Sequence, residues 1–519
     1  MTAGQALLVA TLAFPALGAA GAAILPARAD RAGRLVAVSG AALALVASVL
    51  LYGWRPAAPA GPARPGEIRP WHELNLRWAS GLDLRFHIGV DGISYPLVVL
   101  TALLTLICGI YTLWTVPAVE VVSQEAQPRS TPPPCTRGRL LAALLLAIEV
   151  GIVGVFLSLD LVLFFVFFEV VLLPMYAVIA VWGGPARRHA ARKFVLYTLS
   201  GSVLLLVGVF LVVTRAGTGD LVALSAAHGA GLSEGLQLAA FVLLALAFAV
   251  KSPLWPLHSW LPDAHTEAPT VGSVILAGVL LKMGTYGLLR IAVGVLPDAA
   301  RRVAPVLGVL AVAAILVGGL VCLAQTELKR LIAYSSVGHM GFVLLGIATL
   351  NATGVQAALI GNIAHGIVTG LLFFLAGAIK DRAHTGELAQ LGGLRDRMPR
   401  LAGLLGYAAI ASLGLPGLAG FWGEAFAVIA ALRHGGPLWT VLAVAAALGG
   451  ALAAAYFLRL LRRVSHGPVG PAFAGGCPPL SAGELVSWAP LVLLTLAVGL
   501  IPALVLGLAH DPVMALVAR

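Results

Sequence analysis

The chain has 519 residues, of which 60% are hydrophobic and only 11% are charged. A soluble domain carries about 25% charged residues, so this composition excludes a soluble enzyme and indicates that lipid is the main solvent. The formal net charge is +11, but the basic residues lie in short loops between apolar runs and form no stripe with interleaved aromatic residues. That pattern excludes a nucleic-acid-binding protein.

Apolar runs of about 20 residues, the length that crosses a bilayer as a helix, recur from one end of the chain to the other. Backbone groups in hydrocarbon must be satisfied within the segment, and the alternating pattern of a membrane barrel is absent. We therefore predict an all-α polytopic membrane protein that forms one domain over residues 1–519. Breaks at proline, glycine and charge clusters give fourteen spans, near 5–25, 34–53, 90–114, 139–157, 160–181, 193–214, 237–261, 270–294, 303–323, 330–348, 355–379, 400–432, 437–461 and 485–508.

The flanks of the spans predict the topology. A signal peptide has basic residues before its apolar run. Here none precedes the first run, and Arg28, Arg31 and Arg34 follow it. We therefore expect a retained first span whose N-terminus faces outward. In that orientation the cytoplasmic loops hold 20 Lys and Arg residues and the outer loops hold 10, so both termini are expected outside. The loops 54–89 and 116–138 are polar and proline-rich, and we predict irregular surface connections without activity.

Metal and redox chemistry are not expected of this chain. The acids and histidines of residues 258–267 suggest a metal site, but a turn after a broken helix is the favoured interpretation. Widely spaced cysteines without a CxxC pair support neither a metal site, an iron–sulfur cluster nor a disulfide framework, and we expect no bound cofactor; the four are Cys108, Cys135, Cys322 and Cys477.

Three charged residues interrupt or end apolar runs, where a charge costs at least about 2.5 kcal/mol and needs a partner, water or a function. Glu169 lies near the middle of the fifth span, and Lys282 lies about twelve residues into the eighth, near the bilayer midplane. Lys251 ends the apolar part of the seventh span and is followed by Pro253 and Pro256, which should break the helix. Broken helices usually line wet cavities, so these residues are candidates for proton transfer.

A second break is predicted in the twelfth span, where Pro416 and several glycines precede Glu424. Both breaks pair proline with an ionisable residue, the arrangement expected of two five-helix repeats of inverted topology. We assign these core repeats to about 139–461, with peripheral spans in 1–114 and 485–508.

His339 and His365 lie near or within the spans between the two breaks. They are candidates to bridge the lysines to Glu424, because imidazole titrates near neutral pH. Structural hydrogen bonding to neighbouring helices is an equally good account of both histidines. Snorkelling to the headgroups is an alternative for Lys251, and a static ion pair that fixes packing is an alternative for Glu169 with Lys251.

A long part of the sequence resembles the antiporter-like M-type subunits of respiratory complex I, NADH:quinone oxidoreductase. The resemblance covers most of residues 89–430, while the first two spans and the tail match only in hydropathy. It departs from the family at the proline-rich insert 116–138 and at Gly338, where Ser is expected. The motifs that carry it are Lys251–His265, Glu267–Lys282, Gly89–Ser94, Lys329–Phe342 and Gly420–Glu424.

The resemblance implies that Glu169 and Lys251 form the carboxylate and lysine pair of this family, that Lys282 is the central proton carrier and that Glu424 is the acid on the exit side. It further implies a proton-translocating subunit of a bacterial inner membrane, flanked by L-type and N-type antiporter-like chains. NADH and quinone would act at other subunits, and this chain would hold no redox centre.

Two other functions stay open, namely a subunit of a multi-subunit cation/proton antiporter and a subunit of a membrane-bound hydrogenase complex. Antiporter chains usually have Lys at the position of Glu424, which argues against the first. Sodium-dependent transport without NADH would favour the antiporter, and a neighbouring gene set for a nickel enzyme would favour the hydrogenase complex.

Overall fold

The computed structural model describes residues 1–55, 64–79, 84–116, 137–475 and 477–518. Within these ranges, thirteen helices are long and apolar enough to cross a membrane. The predicted twelfth span supplies the fourteenth crossing as two helices of 14 and 15 residues, each too short to count alone. The chain is therefore an all-α multi-pass membrane protein, as predicted. Most of the predicted loop 116–138 lies outside the described residues.

The first spans run from the N-terminus to the first broken helix. Their ends follow local rules: the first helix begins with a capping box in which Thr2 Oγ1 accepts the Gln5 amide at 3.2 Å, which satisfies one of the free donors of a helix start. The helices are α1 (Ala3–Ile24), α2 (Asp30–Gly53), α3 (Tyr95–Thr112), α4 (Gly138–Leu157), α5 (Leu161–Val170), α6 (Leu172–Trp182), α7 (Arg187–Ala216), α8 (Leu221–Ala227) and α9 (Glu234–Lys251).

The second half of the chain continues in the same way. The longest helix among the described residues has 32 residues and is capped at its N-terminus by Asn351, whose side chain accepts the Gly354 amide at 2.9 Å. The helices are α10 (Trp260–Glu267), α11 (Thr270–Ile275), α12 (Leu281–Gly287), α13 (Pro297–Ala324), α14 (Leu328–Ala348), α15 (Ala352–Ala383), α16 (Leu394–Arg397), α17 (Pro399–Ser412), α18 (Gly420–His434), α19 (Pro437–Val464), α20 (Ala482–Leu500) and α21 (Ala503–Val517).

An antiparallel hairpin, β1 (His72–Ala79) with β2 (Leu84–Val90), lies between α2 and α3. The prediction of an irregular connection over 54–89 was wrong here, because both strands alternate apolar and polar side chains, the pattern of a half-buried hairpin. The fully buried Ile88 extends the pairing through a bridge to Ser158. The hairpin is thereby anchored to the end of α4.

The seventh span is broken as predicted. Helix α9 ends at Lys251 and helix resumes only at Trp260, because Pro253 and Pro256 supply no amide donors to continue the ladder. The Trp260 indole N–H donates to the Val250 carbonyl at 3.0 Å. This bond folds the second half of the span back onto the end of the first.

The twelfth span is also broken. Helix α17 ends at Ser412 and α18 begins at Gly420, and the connection contains Gly414 at φ +79° and Gly417 at φ +93°. Residues with a side chain rarely adopt these angles, so the two glycines permit the turn. The inverted-repeat relation between the two broken spans stays a prediction.

The eighth span is buried along its whole length and is wound unevenly. Two π-helical segments, Leu276–Leu280 and Leu288–Val293, flank α12. Such segments are rare and frequently occur at functional sites. Lys282 lies in the short α-helical stretch between them.

The C-terminal span ends earlier than predicted. The sequence suggested one helix over 485–508, but α20 ends at Leu500 and a separate apolar helix, α21, follows Pro502. Proline at the start of a helix has no amide for the preceding turn, which explains the break. The Ala515 carbonyl in α21 accepts the Gly66 amide at 2.8 Å, so this helix packs against the segment that leads into the hairpin.

Candidate functional site

Lys282 is completely buried in the middle of the eighth span. Its ammonium donates to the Ala277 carbonyl and lies 2.6 Å from Nδ1 of His365 on α15. An ammonium has only donors, so Nδ1 accepts and the ring proton of a neutral imidazole is on Nε2. That Nε2 has no hydrogen-bond partner among the described residues. The predicted carriers Lys282 and His365 are thus in direct contact.

Two glycines set the spacing of this contact. A Cβ on Gly366 would lie 2.7 Å from the Gly278 carbonyl oxygen, and a Cβ on Gly278 would lie 3.7 Å from the Gly366 oxygen. Without side chains, the backbones of the eighth span and of α15 approach each other directly. His365 is adjacent to Gly366 in the chain. The direct contact between the two backbones therefore positions the His365 side chain beside the eighth span.

Glu424 and His339 form the second contact. Oε1 of Glu424, in the first turns of α18, accepts from Nδ1 of His339 on α14 at 2.9 Å. Nε2 of His339 lies 3.1 Å from Oγ of Ser412, the last residue of α17. Both side chains are mostly buried, with 11% exposure for His339 and 16% for Glu424. The broken twelfth span therefore supplies both partners of the histidine.

A small cavity lies between the two contacts. The rings of His339 and His365 are 6.0 Å apart between centroids, too far for a direct hydrogen bond between ring nitrogens held at this angle. A cavity of about 30 Å³ is lined by both histidines, Glu424, Ser412 and Thr369. A water needs roughly 10 to 15 Å³ of such space, so the gap has room for a water between the imidazoles.

Lys251 and Glu169 are neighbours but are not joined. The Lys251 side chain is buried, and its ammonium lies over the Phe168 ring, 4.7 Å from the centroid. Glu169 follows Phe168 in the chain, yet among the described residues no ion pair within 4.0 Å connects Glu169 with Lys251. The lysine is therefore stabilised by a cation–π contact beside the acid, and the static ion pair weighed from the sequence is not formed.

The Lys251 end of α9 packs against α12. A Cβ on Gly284 would lie 2.7 Å from the Phe248 carbonyl and 2.8 Å from the Ser252 amide. Because Gly284 is two residues from Lys282, this close approach joins the break in the seventh span to the central lysine. Lys282, His365, His339 and Glu424 are thus linked by contacts and the small cavity, whereas Lys251 is joined to them only through this helix packing.

Sequence reasoning missed several buried charges. Arg290 pairs with Asp91, and both are less than 5% exposed. Asp91 belongs to the motif Gly89–Ser94, but its partner Arg290 is 199 residues away in the chain. Glu149 in α4 is completely buried. Its position within an apolar run of the sequence could have identified it as a buried charge.

Lys329 is another buried charge that the sequence did not reveal. It lies near the start of α14, is 4% exposed and donates to the Ala268 carbonyl at 3.1 Å. Its ammonium is therefore held inside the protein. In the described part of the chain, no three His, Cys, Asp or Glu side chains gather to hold a metal ion.

Comparison with known proteins places this site in a family. A family model described as NADH:quinone oxidoreductase/Mrp antiporter, TM, matches residues 158–449, which include all six predicted site residues. A protein of Rhodobacter capsulatus named NADH-quinone oxidoreductase subunit M is 39% identical over 503 residues, covering 94% of this chain and 91% of the relative. The chain belongs to this NADH:quinone oxidoreductase/Mrp antiporter family.

Other members agree with this assignment. A Rickettsia prowazekii protein of the same name is 39% identical over 433 residues, covering 83% of this chain and 84% of the relative. A chain in the structure of respiratory complex I from Thermus thermophilus with bound NADH has a TM-score of 0.83 and 29% identity, covering 99% of this chain and 98% of that one. A chain of the Mrp complex from Dietzia has a TM-score of 0.80 at 24% identity and shares the fold.

Proposed function

We propose that the chain is a proton-translocating membrane subunit of NADH:quinone oxidoreductase, and that quinone reduction elsewhere in the complex drives outward proton transfer through it. The observation that carries the proposal is the buried sequence of titratable groups from Lys282 through His365 and His339 to Glu424. The names of the 39% identical relatives support the same complex.

The central transfer runs from Lys282 to His365. Nζ and Nδ1 are 2.6 Å apart, within hydrogen-bond reach, so a proton moves between them without rearrangement of either helix. His365 then presents its Nε2 proton to the cavity. A water there relays it to His339, whose Nδ1 contacts Glu424 at 2.9 Å, and Glu424 releases it at the outer side.

The Glu169 and Lys251 pair acts as the switch. Lys251 lies on the ring of Phe168, the residue before Glu169 in the chain, and in this proposal a change of side-chain rotamer forms the ion pair. When the pair is formed, the positive charge of Lys251 is drawn toward the acid and away from Lys282. When it separates, repulsion between the two lysines favours proton release from Lys282.

The remaining assignments are part of the same proposal. The chain lies in the bacterial inner membrane with both termini outside, beside L-type and N-type antiporter-like chains in the membrane arm. NADH and quinone act at other subunits, and this chain binds no cofactor. The surrounding lipid bilayer covers the apolar faces of its outer helices.

The test replaces Lys282 with Ala in the assembled complex. Proton pumping, measured as NADH-driven acidification of inverted membrane vesicles, should be lost because the first carrier is gone. NADH oxidation by an artificial acceptor reports assembly, and Arg302→Ala, at a side chain that is 56% exposed, is the control. Full pumping by an assembled Lys282→Ala complex would refute the proposal.

The same vesicles separate the proposal from a cation/proton antiporter, which the fold of the Mrp chain brings into consideration. An antiporter would exchange sodium for protons in the absence of NADH and quinone. A sodium-dependent pH change in vesicles without NADH would therefore replace complex I by the antiporter, whereas acidification that requires NADH supports complex I.

A further inference from the structure

Glu149 is an acid that the proton route above does not use. It lies in α4, its side chain is completely buried, and neither carboxyl oxygen has a hydrogen-bond partner among the described residues. Its neighbours one turn away, Leu145, Ile152 and Val153, are buried and apolar. A carboxylate without donors or a cation is strongly disfavoured in such surroundings, so this position holds the neutral, protonated acid.

Helix α4 is tied to the helix that carries Lys282. The Tyr286 hydroxyl of α12 donates to the Phe156 carbonyl of α4 at 3.2 Å, and the two rings meet edge to face with centroids 5.2 Å apart. This contact gives a common level from which to measure positions along both helices. The two helices belong to the fourth and eighth spans, which are an even number of crossings apart and so run in the same direction.

From this level, Glu149 and Lys282 lie at similar depths. Glu149 is seven residues before Phe156, two turns back on the same face and about 10.5 Å along the axis. Lys282 is four residues before Tyr286, about 6 Å along its own axis. Its side chain reaches farther back, to the carbonyl of Ala277, as side chains on a helix tilt toward the N-terminus. The ammonium and the carboxyl are therefore nearly level.

The two groups are separated sideways by one helix-to-helix step. They form no ion pair within 4.0 Å in the described part of the chain, and packed helices have axes about 8 to 10 Å apart. A proton that passes between them needs water and rotation of the flexible Glu149 side chain to cover this distance.

We propose that Glu149 is a proton-exchanging residue that loads Lys282 from the side. The carboxylic acid gives its proton through water to the lone pair of the neutral Lys282 amine, which yields a carboxylate and an ammonium that attract each other. When the ammonium passes its proton to His365, the carboxylate loses its counter-charge and takes up another proton from the cytoplasmic side. The inference rests on the proposed function, because Lys282 must carry protons for Glu149 to load it.

The test compares Glu149→Gln, which keeps the shape but cannot ionise, with Glu149→Asp, which keeps the acid on a shorter side chain. Pumping per assembled complex should fall roughly a hundredfold or more in Glu149→Gln, within the range lost when a proton-transfer group is removed, and should recover in part in Glu149→Asp. Glu234→Gln, at a surface side chain that is 79% exposed, is the matched control and should pump normally.

Infrared difference spectra between NADH-reduced and oxidised complex report changes in the protonation of carboxylic acids. A purely structural role of Glu149 would leave these spectra unchanged. The carbonyl stretch of a protonated carboxylic acid should change on reduction in the wild type, disappear in Glu149→Gln and shift in frequency in Glu149→Asp. If Glu149→Gln assembles poorly, the shift in Glu149→Asp decides the question, and an unshifted band overturns the proposal.

The outcomes separate the two proposals. Normal pumping by Glu149→Gln together with lost pumping by Lys282→Ala overturns the role of Glu149 and keeps the proposed function. Normal pumping by both variants overturns both. Lost pumping by Lys282→Ala with a Glu149-dependent infrared band and slow pumping by Glu149→Gln supports both.

Discussion

Replacing Glu424 with Gln tests the exit end of the route. The structure joins Oε1 of Glu424 to Nδ1 of His339 at 2.9 Å in a mostly buried site. A hydrogen bond to a charged group contributes about 1.5 to 3 kcal/mol and a neutral one about 0.5 to 1.5 kcal/mol, so replacing the carboxylate with an amide weakens the contact with His339 by about 1 to 1.5 kcal/mol. A difference of that size changes an equilibrium constant by roughly tenfold.

The amide also cannot accept the proton, so the last carrier is removed as well. We therefore expect Glu424→Gln to pump at least about tenfold more slowly than wild type, measured as acidification of inverted vesicles at matched amounts of assembled complex. The double variant with His339→Asn should cost little more than Glu424→Gln alone, because residues that act as a unit are not additive. Pumping by Glu424→Gln at more than half the wild-type rate, or additive losses, would refute this reasoning.

Two further substitutions test the packing that holds the route. Gly284→Val should destabilise the complex by about 1 to 3 kcal/mol, since a Cβ there meets the Phe248 carbonyl at 2.7 Å; thermal inactivation of detergent-solubilised complex measures this, and unchanged inactivation would contradict the close approach. Arg290→Leu should cost about 3 to 5 kcal/mol by leaving Asp91 buried without its cation, and the double variant with Asp91→Leu should be more stable than Arg290→Leu alone.

The sequence predicted the parts of the site that hydropathy alone makes visible. Glu169 and Lys282 interrupt long apolar runs, and such interruptions are costly enough to stand out without any structure. Proline after Lys251 and before Glu424 predicted both broken helices, and the structure contains both. These features are local, so a short window of sequence is sufficient to detect them.

The contacts between these residues could not be predicted in the same way. Lys282 meets His365 across 83 positions and His339 meets Glu424 across 85, and no local pattern records such pairings. The Lys251 ammonium contacts the Phe168 ring and not the Glu169 carboxylate. Which of the two it contacts depends on the side-chain rotamer. The separation of the pair is therefore information that only the three-dimensional structure supplies.

Three other features were not predicted although the local sequence contains evidence for them. The strands His72–Ala79 and Leu84–Val90 alternate in hydropathy, but proline and charge in the surrounding loop 54–89 obscured the pattern. Pro502 indicated the end of α20, yet the apolar composition beyond it suggested that the span continued. Glu149 interrupts an apolar run in the same way as Glu169, without a flanking proline to draw attention to it.

The contact between Gly278 and Gly366 has a consequence for regulation. Because two main chains touch there, the distance from Lys282 to His365 is fixed by helix geometry and resists changes in bilayer thickness or lateral pressure. Opening and closing of the path must then occur where flexible side chains alone span the distance. In this molecule those places are the Lys251 end of α9 and the gap between the imidazoles. The step from Lys282 to His365 therefore keeps a constant distance, while the distances on either side of it can change.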